Sequence, residues 1–156
     1  MKKILIALDY DPTAQKIAEA GYSLATAMAA EVVLLHVISD PVYYSSRDYS
    51  PIMGFNGYMD MDPIQMDSIE GLKDASIHFL EKTKKHLADP SIQTMVKEGD
   101  FADAILKAAK EVHADIIVIG SHSQKWLEKI VMGSVTEKVL SHTTVPMFVV
   151  PTKKHK

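Results

Sequence analysis

Ala114-Asp115-Ile116-Ile117-Val118-Ile119-Gly120-Ser121-His122-Ser123 sets four β-branched residues in a row and ends them on a glycine and a polar turn. A strand with one wet face alternates apolar and polar residues. An unbroken apolar run is buried on both faces, as in a parallel sheet covered by helices on two sides. Ile4-Leu5-Ile6-Ala7-Leu8, Val32-Val33-Leu34-Leu35-His36-Val37-Ile38 and Met147-Phe148-Val149-Val150 share this unbroken character. Ile92-Gln93-Thr94-Met95-Val96 alternates instead, as expected of an edge strand, which brings the expected strands to five.

Helical periodicity fills the intervals. Asp11-Pro12 suits a helix start, and Ile17, Gly21, Leu24, Ala25 and Met28 follow on one face. Asp67-Ser68 opens a second helix, with Leu72, Ser76, Phe79, Thr83 and Leu87 as its stripe and Asp89-Pro90 as its end. Asp100 caps a third, with Phe101, Ile105, Ala108 and Val112 turned inward. Ser134-Val135-Thr136-Glu137 is a capping box for a fourth, with Val135, Val139 and Leu140 on the buried side. Strands and helices alternate throughout. The expected fold is therefore α/β: one open, doubly wound, five-stranded parallel sheet with helices on both faces, in strand order 3-2-1-4-5.

The 156 residues suit one domain, and 47% hydrophobic with 24% charged residues supplies a core. Seventeen Lys and Arg against twenty Asp and Glu leave a net charge of -3, which is no footprint for a nucleic-acid binder. No apolar run approaches the roughly 18 residues that cross a bilayer. Met1-Lys2-Lys3-Ile4 runs straight into a strand pattern with no signal-peptide character, so a cytoplasmic location is expected. The chain has no cysteine, which excludes disulfides and thiolate chemistry. The domain is expected over residues 1–151, with a basic tail at 152–156. Residues 39–66 form a long connection rich in Tyr and Met. It reads first as a mobile insertion, and alternatively as a lid or a partner surface.

In a doubly wound sheet, ligands bind beyond the carboxyl ends of the strands, where the strand order reverses. Leu8-Asp9-Tyr10, Val37-Ile38, Glu98-Gly99 and Gly120-Ser121-His122 lie there. Gly120 permits a turn and a close approach, and Gly133-Ser134 opens a helix whose first N–H groups carry the positive end of its dipole. Ser134 and Thr136 add hydroxyls, so this is an anion trap that needs no arginine. Ser134 has a plainer reading as a helix cap paired with Glu137. Asp9, at the end of the first strand, is placed to accept hydrogen bonds from ribose hydroxyls.

Over essentially its whole length the chain resembles the universal stress protein family. The resemblance is carried by Lys3-Ile4-Leu5-Ile6-Ala7-Leu8-Asp9, Leu34-Leu35-His36-Val37 and Gly99-Asp100-Phe101-Ala102-Asp103-Ala104-Ile105. Ala114 to His122, Gly133-Ser134-Val135 and Val145-Pro146-Met147-Phe148-Val149-Val150 complete it. The ATP-binding branch of that family carries a glycine, two residues, a second glycine, nine residues, then glycine with Ser or Thr. That spacing is intact at Gly120, Ser123, Gly133 and Ser134, but Ser123 stands where the second glycine belongs. A serine is strained if that turn needs positive φ, although its hydroxyl can donate to a phosphate.

The resemblance implies a stress-response protein binding ATP, with Mg²⁺ brought by the phosphates. Asp9 would hold ribose, and Ala7 and Val37 would line the adenine pocket. Gly120, Ser121, His122 and Ser123 would lie along ribose and phosphates. Gly133, Ser134 and Val135 would hold the phosphates. The resemblance also implies a homodimer through the last strand, Val145 to Val150, whose apolar edge needs cover. The protein partner is not legible.

No nucleophile elbow, zinc-binding His-Glu pair or Walker lysine is present, so dedicated catalysis is not expected, at most weak ATP hydrolysis. The competing readings are a dimeric interaction module that binds no nucleotide and a slow ATPase. A phospho-accepting receiver fails, because the third strand ends on Lys97-Glu98-Gly99 with no aspartate. The seven histidines show no metal-ligand spacing, and His36 reads as a hydrogen-bonded core residue.

Overall fold

Every residue from Ile4 to Leu8 is buried, which puts strand β1 (Lys3–Leu8) at the centre of the sheet. The computed structural model describes residues 2–9, 13–38, 69–121 and 134–152. Along them run β1, α1 (Ala14–Met28), β2 (Glu31–Ile38), α2 (Ile69–His86), β3 (Gln93–Glu98), α3 (Phe101–Glu111), β4 (Ile116–Gly120), α4 (Ser134–His142) and β5 (Met147–Val150). The strands are all parallel, in the order β3-β2-β1-β4-β5. Fold class and strand order are those expected.

The two-residue period of β1 feeds two cores. Ile4, Ile6 and Leu8 pack with α1 and α2, whereas Leu5 and Ala7 pack with α3 and α4. Burying a large aliphatic side chain stabilises by roughly 1.5–3 kcal/mol, and the fully buried Ile4, Leu5, Ile6, Leu34, Leu35, Ile117 and Ile119 all lie on the three inner strands. Helices that follow β1 and β2 thus cover one face, and those that follow β3 and β4 cover the other. The strand order reverses between β1 and β4.

Several local expectations shift. Helix α1 begins at Ala14 behind Thr13, while Asp11-Pro12 lies outside the described residues, as do Asp67-Ser68 and all of 39–66. Strand β3 runs from Gln93 to Glu98, slightly later than its alternating pattern suggested. Its guard is ionic: Lys73 pairs with Glu98 at 2.9 Å, and Lys97 with Glu111.

Two corrections concern the opposite edge. Leu140, expected on the buried side of α4, is 50% exposed, and Phe148 in β5 is 39% exposed although its run reads as buried on both faces. Val135 and Val139 form the inward stripe of α4. Among the described residues no strand lies beyond β5 to cover the outer side of this last helix and strand. Thr152, assigned to the tail by its sequence position, is buried against the end of β4. Among the described residues no helix is long and apolar enough to cross a membrane.

Candidate functional site

At the carboxyl end of the sheet, a small recess, partly open to solvent, lies where the strand order reverses. Ala7, Leu8 and Asp9 come from β1 and its exit, Leu35 and Val37 from β2, and Ile119 and Gly120 from β4. The first turns of α1 and α3 supply Thr13, Ala14, Ile17, Phe101 and Ile105, and α4 supplies Val135. The lining is apolar except for Asp9 and Thr13.

Of the residues singled out from the sequence, Ala7, Asp9, Val37, Gly120 and Val135 meet at this recess. Ser121 follows Gly120 directly, but its hydroxyl is engaged away from the recess. Its oxygen accepts from the Thr152 amide at 3.0 Å and lies 3.4 Å from the Thr152 hydroxyl. Ser134 is the first residue of α4. His122, Ser123 and Gly133 lie outside the described residues.

Gly120 has a packing role that its sequence did not signal. A Cβ on it would meet Ile17 Cδ1 at 2.6 Å and Thr152 Cγ2 at 2.9 Å. The missing side chain lets α1 and the segment after β5 close on the strand end. Thr136, read as a hydroxyl for an anion, is also otherwise engaged. Its Oγ1–H donates to the Gly120 carbonyl at 2.7 Å.

The other connections at this end hold the helices to the strands. Gly99 adopts φ +121°, a conformation that side chains resist, and its N–H donates to Ile38 O at 2.9 Å. This turn aims α3 so that Phe101 reaches the recess. Asp100 caps α3 by accepting from the Asp103 N–H at 3.0 Å, as expected from the sequence. That hydrogen bond, with Lys138 beside it at 3.1 Å, holds the Asp100 carboxyl below its ordinary pKa.

His36 lies opposite Leu8 in register, and its Nδ1–H donates to Leu8 O at 2.8 Å, on the residue before Asp9. Its ring meets Phe79 edge-on at 5.9 Å. Burial pushes its pKa down to about 4 from an ordinary 6.5, so the ring is neutral at pH 7. It is a core histidine, as its place in the strand implied.

Sequence reasoning missed Thr13, Ile17, Phe101 and Ile105 as walls of the recess. Phe101 was within reach of the strand-end rule, since it lies just after Gly99-Asp100. Ile17 carries no such signal, because it looks like any inward residue of a helix. Chemically, the apolar walls suit a flat, weakly polar ring, and the Asp9 carboxylate at the rim can accept from hydroxyls. Among the described lining residues there is no cation, and no three His, Asp or Glu cluster to hold a metal. Asp9 fits a sugar, and the apolar walls fit a base. A magnesium ion would depend on phosphate and water oxygens.

Residues 1–151 match the family model of the universal stress protein family. Universal stress protein MJ0577 of Methanocaldococcus jannaschii is 30% identical over 155 residues, covering 97% of this chain and 96% of that protein. Universal stress protein YxiE of Bacillus subtilis is 30% identical over 151 residues, 95% of this chain and 97% of its own length. The solved structure of MJ0577 aligns over 99% of this chain and 98% of its own, with TM-score 0.72 and 29% identity. A universal stress protein solved in complex with cAMP shares the fold, with TM-score 0.59 and 17% identity over 96% of this chain and 95% of that one. Sequence, strand order and near-complete coverage of these relatives agree: the chain belongs to the universal stress protein family.

Proposed function

We propose that the recess binds an adenine nucleotide, ATP in the first instance, and that its occupancy acts as a regulatory switch in a cytoplasmic stress response. One observation carries the reading: the Asp9 carboxylate shares a recess that is apolar apart from it and Thr13 with Ala7, Val37, Gly120 and Val135, which come from four different elements. The base lies against Ala7 and Val37, and the ribose hydroxyls donate to Asp9. The phosphates lie toward Gly120, Ser121, His122 and Ser123 and reach the start of α4 at Gly133, Ser134 and Val135. Backbone N–H groups and the helix dipole supply the positive potential there. Mg²⁺ arrives on the phosphates. A relative solved with cAMP binds an adenine nucleotide, but its low identity makes it support for the fold; the ligand class rests on the recess.

Calorimetric titration with AMP, ADP and ATP, the last with Mg²⁺, tests this reading. Asp9→Ala is expected to weaken all three alike, on the order of 10–100-fold for lost charge-assisted hydrogen bonds. A loss confined to ATP would remove Asp9 from the ribose. Ser134→Ala is expected to weaken ATP more than AMP, and equal losses would make Ser134 a cap only.

The exposed Phe148 and Leu140 favour a second element of the proposal, a homodimer that covers the β5 edge. Phe148→Glu is expected to shift the wild-type sedimentation coefficient to that of a monomer. An unchanged coefficient would put the interface elsewhere.

A further inference from the structure

We infer that Thr136 is a positioning residue of the nucleotide site, clamping the anion-facing start of α4 to the end of β4 without touching the ligand. The inference rests on the nucleotide reading proposed above. Thr136 is the third residue of α4 and is fully buried, at 0% exposure. Its hydroxyl reaches across 16 residues of sequence to the Gly120 carbonyl, at 2.7 Å. A threonine hydroxyl has one proton to donate, and this one is committed to a buried carbonyl, so it has none for a phosphate.

The bond joins two pieces of the recess wall. Gly120 lines it from β4, and Val135, the neighbour of Thr136, lines it from α4. Gly120 cannot yield easily, since Ile17 and Thr152 occupy the space where its Cβ would lie and its strand neighbour is Val150. Thr136 therefore fixes the first turn of α4 to the most constrained point of the strand end. Besides the apolar packing of Val135 and Val139, α4 has an ionic attachment that is different in kind. Lys138 reaches Asp100 at 3.1 Å and Asp103 at 3.5 Å with all three side chains substantially exposed, where solvent and salt weaken ion pairs.

Anion binding by backbone amides depends on their fixed aim, so loosening this clamp should affect phosphates more than adenosine. The test compares wild type, Thr136→Val and Thr136→Ser. Valine preserves the branched shape and removes the bond, and serine keeps the bond. Thr136→Val is expected to lose about tenfold in ATP affinity, with adenosine weakened less and Thr136→Ser close to wild type. Undiminished ATP binding in Thr136→Val, or equal losses for ATP and adenosine, would overturn the inference.

Amide hydrogen exchange without ligand supplies an independent reading. Faster exchange of the hydrogen-bonded amides over residues 137–140 in Thr136→Val, restored in Thr136→Ser, is the expected result. Unchanged exchange would overturn the clamp even if nucleotide binds. A wild-type protein that binds no adenine nucleotide would overturn the nucleotide reading and the ligand half of the inference. Exchange would still decide the clamp.

Discussion

The two ends of the sheet are built from the same strands and closed by different means. At the amino end the backbone does most of the sealing. The Lys3 N–H donates to Asp115 Oδ2 at 2.8 Å, the Asp115 N–H returns to Lys3 O at 2.7 Å, and the Glu31 N–H donates to Lys2 O at 2.8 Å. At the carboxyl end the chain leaves β1 toward one face and β4 toward the other, and a recess remains between them. Side chains join two backbone bonds, Gly99 to Ile38 and Ser121 to Val150, in closing what is closed there: His36 on Leu8, Thr136 on Gly120, and Ser121 with Thr152. The contrast shows why binding belongs at the reversal point. Backbone pairing leaves no room, whereas departing helices leave a hollow with polar groups at its rim.

The largest expected effect separates the ends by pH. His36 is folded neutral with a pKa of about 4 against an ordinary 6.5, so below pH 6.5 the unfolded chain binds a proton that the folded chain refuses. Its contribution is fully present above pH 6.5, falls as pH drops, and levels off near pH 4, a loss on the order of 3 kcal/mol. Urea unfolding from pH 7.5 to 4 measures this. A midpoint that does not move over that range would contradict the neutral, buried ring.

Gly120→Ala tests the crowded strand end. Its Cβ must displace Ile17 Cδ1 from 2.6 Å, an overpacking that costs about 1–3 kcal/mol. Combining it with Ile17→Ala is expected to recover part of the loss. If the double variant shows the sum of both single losses, the contact is not the cause.

Asp115→Ala probes the amino end, where losing the bond to the Lys3 N–H is expected to cost about 1 kcal/mol and leave nucleotide affinity unchanged. A change in affinity would mean that the two ends are coupled. The smallest effect is expected from Lys138→Ala, because the pairs it makes are exposed: the denaturant midpoint should not shift at physiological salt. A clear shift would make the ionic attachment of α4 as important as the Thr136 clamp.

How far these features were legible depends on how local their causes are. The inner strands announce themselves because a run such as Ile116 to Ile119 has no polar residue to place in water. Asp100 is legible as a cap because its partner, Asp103, is three residues away. Ala7, Asp9, Val37, Gly120 and Val135 could be grouped because the strand-end rule and the family resemblance both act on sequence order. The rest depends on partners far along the chain. Thr136 looks like a phosphate hydroxyl until Gly120 is seen beneath it, and nothing near Gly120 in the sequence announces that Ile17 and Thr152 pack where its Cβ would lie. Leu140 satisfies a helical stripe, but where the sheet stops is a property of the assembled fold. Ala29, Ala88 and His113 adopt positive φ at helix ends without the glycine that would advertise such a turn.

The central claim is that the open end of the sheet is an adenine-nucleotide site, and the most direct test is a crystal structure of the protein grown with saturating ATP and Mg²⁺. The predicted result is one nucleotide per chain, its base against Ala7 and Val37, its ribose hydroxyls on Asp9 and its phosphates at the start of α4. A recess that holds no nucleotide under those conditions, or a nucleotide bound elsewhere on the chain, would contradict the account.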